Sequence, residues 1–135
     1  MKKLVILFFV LALGCSGVFE DRAIEIVKKG DGGAFKTVDN LMKQVAGPNG
    51  DLKWSSFKSS NANFKGNNPY KDNPDVSIVQ VDIKKVLDNG REKKVRIQFT
   101  VNTRTEACRM SAFELDGQPQ SLFAGSLALM LLLGQ

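Results

Sequence analysis

The chain has 135 residues, 43% of them hydrophobic and 24% charged, enough for one globular domain with a modest core. Its formal charge of +5 falls to +3 when Lys2 and Lys3 are set aside as part of a leader, because 19 basic residues become 17 against 14 acidic ones. That weak balance, without any block of Lys and Arg, excludes an electrostatic case for a nucleic-acid partner.

The first fifteen residues read as an export signal. Met1-Lys2-Lys3 is a short positive start, and Leu4 to Leu13 is an unbroken apolar run. The run has the length of a signal-peptide core and is short for a bilayer span. Ala12-Leu13-Gly14-Cys15-Ser16-Gly17 follows. This stretch resembles the cleavage box of bacterial lipoproteins, whose Cys becomes the mature N-terminus and carries the lipid. Gly14 and Cys15 match the box, while Ala12 and Leu13 stand in the reverse of the usual order. The resemblance implies lipidation at Cys15 and anchorage of the domain to a membrane of the cell envelope. Ser16 in place of Asp implies the outer membrane, facing the periplasm, if the envelope is Gram-negative. Each buried acyl methylene contributes about 0.8 kcal/mol, so two or three chains hold a small domain durably. An ordinary secretory signal cut near Gly17 and an uncleaved anchor are the alternatives. All three place the domain, residues 18–117, outside the cytoplasm.

Two amphipathic helices come next. From Val18 to Gly30, Phe19, Ala23, Ile26 and Val27 share a stripe. Acidic Glu20 and Asp21 lie in the first turn and basic Lys28 and Lys29 in the last, which suits the helix dipole. From about Ala34 to Ala46 the stripe is Phe35, Val38, Leu41, Met42 and Val45, stopped by Gly47-Pro48.

Pro48 to Asp75 is polar and rich in breakers such as Pro48-Asn49-Gly50 and Gly66-Asn67-Asn68-Pro69. A short strand is predicted over Leu52 to Phe57. Aromatic and basic residues recur in pairs, Phe57-Lys58, Phe64-Lys65 and Tyr70-Lys71, with Lys53-Trp54 just before. Trp54, Phe57, Lys58, Phe64, Lys65, Tyr70 and Lys71 are therefore the candidate binding residues. They would form a surface that stacks rings while the lysines meet anions, or a loop that dips into lipid headgroups. In the plainer alternative Trp54 and Phe57 cap the core and the lysines are solvated.

The next forty residues carry the sheet. Val79, Val81 and Ile83 alternate with Gln80, Asp82 and Lys84, and Val95, Ile97, Phe99 and Val101 alternate with Arg96, Gln98 and Thr100. Strict alternation marks strands with one buried and one wet face. Asp88-Asn89-Gly90 between them predicts a β-hairpin. In Glu106 to Leu115, Phe113 and Leu115 have one parity and Cys108, Met110 and Ala112 the other. A bulge there or a strand covered on both sides would account for this. Cys108 reads as a small apolar residue buried in that strand, with an intermolecular disulfide as the alternative. In a chain with no His, a metal site on Cys108 would be unusual.

The order of these elements, the Lys28-Lys29-Gly30-Asp31 turn and the Phe113-Glu114-Leu115-Asp116-Gly117 stretch resemble small bacterial lipoproteins of the nuclear transport factor 2-like class, with a cystatin-like cone. The resemblance implies an α+β fold in which two N-terminal helices pack on a curved antiparallel sheet of three to four strands. Where that class carries a Trp-containing strand tip, this chain has Gln118-Pro119-Gln120, which leaves the closing strand open.

The tail, residues 118–135, is a run without charge. Leu122 to Leu133 predicts an apolar C-terminal helix of roughly 18 Å, against about 30 Å for a bilayer core. It would be buried on the uncovered face of the sheet, dock on an envelope protein or membrane, or be read through from an altered gene end.

No paired carboxylates, activated nucleophile or phosphate loop can be read, and no cofactor is called for. Enzymes of the resembling class use an Asp or His base, for which only Asp39, Asp82 and Glu114 are candidates here. The expectation is a non-catalytic envelope protein that binds a ligand or protein. The alternative is an assembly component of an envelope complex docking through Leu122 to Leu133, and a pocket enzyme comes last.

Overall fold

The computed structural model describes residues 21–59 and 73–133. Among the described residues the protein is α+β, with three α-helices and a five-stranded antiparallel sheet. Helices α1 (Arg22–Lys28) and α2 (Val38–Ala46) precede strands β1 (Asp51–Lys58), β2 (Val76–Val86), β3 (Glu92–Asn102), β4 (Cys108–Leu115) and β5 (Gln118–Gln120). Helix α3 (Leu122–Leu133) ends the described chain. The strands lie in sequence order, so every connection within the sheet joins neighbours.

Both N-terminal helices begin at side-chain caps. The Asp21 carboxylate accepts from the Ala23 N–H at 2.9 Å, and the Thr37 hydroxyl accepts from the Asn40 N–H at 3.2 Å. Each satisfies a donor that the first turn leaves without a helical partner. The Thr37 cap moves the start of α2 from about Ala34 to Val38. Gly33–Phe35 forms a separate 3-10 turn, and Lys36 with φ +71° breaks the path between them. Phe35 therefore lies outside the helix.

β2 and β3 are eleven residues each and pair along their whole length. Their inner face carries Val79, Val81, Ile83, Val95, Ile97, Phe99 and Val101, all buried. These side chains form one cluster with Ala23 and Val27 of α1, Val38, Met42 and Val45 of α2, and Leu129 and Leu132 of α3.

The parity change in β4 is a bulge. Register shifts between Gln98 and Phe99 of β3, which leaves Ser111 as the extra residue of β4. Its hydroxyl donates to the Gln98 carbonyl at 3.2 Å. Phe113 and Met110 thereby pack with the core despite their opposite parity.

Two expectations are corrected here. The sheet has five strands, not three to four: Asp116 (φ +50°) and Gly117 (φ +81°) form a two-residue turn into β5. Positive φ at both positions is the type I′ geometry that suits hairpin twist. Pro119, which lacks an N–H, is tolerated because β5 is an edge strand. Cys108, expected to be buried, is exposed and free, because it lies in the first residue of β4 beside the Asn102–Ala107 turn.

Candidate functional site

Two surfaces of the described residues stand out. The first is the outer side of α3. Its twelve residues contain no charge, so the sequence alone cannot say which side faces the core. Gly125 decides it. A Cβ there would lie within 2.8 Å of atoms of the Phe113 side chain, so only glycine lets the helix approach β4 this closely. Gly125, Leu129 and Leu132 face inward and are buried. Phe123, Leu127, Met130 and Leu131 are consequently turned outward, at spacings of four, seven and eight residues from Phe123. Phe123 is 76%, Leu131 71% and Met130 68% exposed. No helix among the described residues is long and apolar enough to cross a membrane.

The second surface is the outer face of the sheet. There the cross-strand register builds a row Asp51–Lys84–Lys94 beside a row Lys53–Asp82–Arg96–Glu114. Arg96 Nε donates to Asp82 Oδ1 at 2.7 Å, and its Nη1 lies 3.7 Å from Glu114 Oε2. Gln80 donates to Asp82 at 2.9 Å and accepts from Gln98 at 2.9 Å. Lys84 Nζ sits 3.1 Å from Asp51 and 3.8 Å from Glu92. These partners raise the proton affinity of both cations: the hydrogen bond to Asp82 is the main cause for Arg96, and that to Asp51 for Lys84. A cavity of about 330 Å³ opens over these rows, and Lys53, Lys94 and Gly117 also line it.

The candidate residues of β1 are not brought together. Trp54 pairs with Val81 and points to the helix side, where it packs against the core cluster. Lys28 Nζ stands 5.4 Å from its ring centre, and its indole N–H is buried without a hydrogen-bond partner among the described residues. Phe57 pairs with Ile78 and points to the opposite face, while Lys58 is exposed at the strand end. Trp54 and Phe57 therefore cannot stack one ligand together from β1. Cys15, Phe64, Lys65, Tyr70 and Lys71 lie outside the described residues. Asp39 is taken up by an i,i+4 pair with Lys43 at 2.8 Å. Among the described residues no three of His, Cys, Asp and Glu are grouped to hold a metal ion.

The charged rows went unread in the sequence because their members are distant in the chain. Counting outward from Asn89 as the hairpin centre would have set Lys84 opposite Lys94. No family model, no curated protein and no solved structure matches this chain.

Proposed function

We propose that the protein is an exported, lipid-anchored bacterial envelope protein with a non-catalytic binding role, and that it engages an envelope protein partner through α3. The observation that carries the docking reading is the ridge of Phe123, Leu127, Met130 and Leu131, which stays in water while the opposite side of the same helix is buried. Large exposed apolar side chains on one contiguous patch mark interaction surfaces more often than scattered ones do. The leader running up to Cys15 supports the location, and Ser16 implies the outer membrane if the envelope is Gram-negative. The same reading takes the helices to sit in the concave side of a curved sheet, as in the nuclear transport factor 2-like class.

Two measurements test it. Intact mass of the protein from its native membrane fraction should show a chain beginning at Cys15 with acyl mass, lost on Cys15→Ala. A photo-crosslinker at Leu127 should trap one defined protein in intact cells. Phe123→Asp together with Met130→Asp should abolish that crosslink and leave the thermal transition of the domain in place. A mature chain without acyl mass refutes the anchor, and crosslinking unaffected by the two changes refutes the ridge.

A further inference from the structure

The outer face of the sheet contains a local conflict. Lys84 of β2 lies directly opposite Lys94 of β3 there, and the next pair along, Lys85 and Lys93 on the inner face, is again two lysines. Like charges facing each other across a strand pair are unfavourable. Three of the four are accommodated. Lys84 has Asp51 and Glu92, Lys93 has Asp116 at 2.9 Å, and Lys85 is buried on the inner face with its ammonium beside Gly47, at the C-terminal end of α2 where a cation is favoured. Among the described residues Lys94 makes no ion pair within 4 Å. Asp116, the carboxylate bound to its backbone N–H, is already held by Lys93 as well. Among the same residues Lys53 likewise makes no ion pair. Both line the 330 Å³ cavity, one from β1 and the other from β3, with the Asp82–Arg96 pair between them. The volume lies in the range of small-molecule sites.

We propose that this cavity binds a ligand through a phosphoryl group, held by Lys53 and Lys94. The chemistry on offer selects phosphate over carboxylate. Arg96, whose planar fork would grip a carboxylate in bidentate fashion, is already turned onto Asp82 and Glu114. What remains are two lysine ammonium groups, which act as point charges and suit a tetrahedral anion. Asp82 and Glu114 also line the cavity and disfavour an anion placed over Arg96, so the phosphoryl group lies toward the two lysines. Local rules are broken most often where function requires it, and the Lys84–Lys94 pair is such a break.

The test uses the full chain in phosphatidylcholine nanodiscs, followed by ¹⁵N–¹H spectra in 150 mM salt. Inorganic phosphate and glycerol 3-phosphate are titrated in solution, and in a second arm phosphatidic acid is exchanged into the disc. Saturable shifts at Lys53, Asp82, Lys94 and Arg96, weakened about tenfold or more in Lys53→Ala/Lys94→Ala, are expected. Shifts with the soluble ester assign a free phosphate ligand, and shifts only in the acidic disc assign a lipid headgroup. No saturable shift in either arm, or equal shifts in the double variant, overturns the proposal. A second measurement needs no ligand: Lys94→Gln removes the facing charge and should raise the melting temperature of the free protein. A lowered melting temperature would make Lys94 a structural residue and overturn the assignment.

Discussion

Gly125 of α3 rests on the ring of Phe113 in β4, and no side chain fits between them. The contact seats the C-terminal helix on the same core that α1 and α2 share. Gly125→Ala sets two effects against each other. Alanine favours a helix interior by about 1 kcal/mol over glycine, but forcing a methyl into a packed site costs typically 1–3 kcal/mol. Because the obstruction is the side-chain base and ring of a fully buried Phe113, overpacking wins. The variant should melt several degrees lower in a calorimetric scan. A rise in melting temperature would mean that α3 is not held against Phe113.

Phe99 and Gln98 are neighbours in β3 that point to opposite faces. Phe99 is 6% exposed in the core, whereas Gln98 donates to Gln80 on the outer face. Phe99→Asp puts a carboxylate into an apolar cluster without a partner, at a cost of roughly 4 kcal/mol or more. That is comparable to the whole stability of a small domain, so the variant should lack a cooperative transition by circular dichroism. Gln98→Ala loses one side-chain hydrogen bond, about 1 kcal/mol, and should unfold cooperatively. Equal effects at both positions would break the two-residue period assigned to this strand.

What could be read from the sequence followed from how local each signal is. The β2–β3 hairpin was legible because Val79 to Ile83 and Val95 to Val101 alternate around Asp88-Asn89-Gly90. The bulge was legible only as a choice, since the residues of β4 cannot show that the Gln98 carbonyl takes the Ser111 hydroxyl. The start of α2 was misplaced because Phe35 continues its apolar stripe. Periodicity was outweighed there by the Thr37 cap and by the left-handed turn at Lys36. The outward side of α3 was illegible because a helix with apolar residues all round has no polar face to mark it. The charged rows depend on register, which brings Asp51, Lys84 and Lys94 side by side across three strands.

Cys108 offers a solution check on the correction to its burial. It is exposed and free, and partial desolvation pushes its thiol above its ordinary pKa of 9.0. The thiolate is the reactive form. With Cys15→Ala leaving a single cysteine, a disulfide reagent should label the native protein to one equivalent without denaturant. The rate should keep climbing through pH 9 and show no plateau below it. Labelling that required unfolding would restore the buried reading.

Asp116 links the β4–β5 turn to β3, and its titration should appear in acid stability. Its carboxylate accepts from the Lys94 backbone N–H and from Lys93 Nζ, both at 2.9 Å. The backbone hydrogen bond is the larger cause that holds its pKa below the usual 3.8. A depressed folded pKa means that the unfolded chain takes up the proton first as pH falls. The contribution is therefore fully present above the unfolded value, and is lost as pH falls through it toward the folded value. With the Asp116 side chain 41% exposed, solvent screening limits it to about 0.5–1 kcal/mol. Asp116→Asn should lower stability by that amount at pH 7 in urea unfolding. The gap between wild type and variant should close below about pH 4. A gap that stayed constant down to pH 2.5 would show that the turn depends on the shape of the side chain and not on its charge.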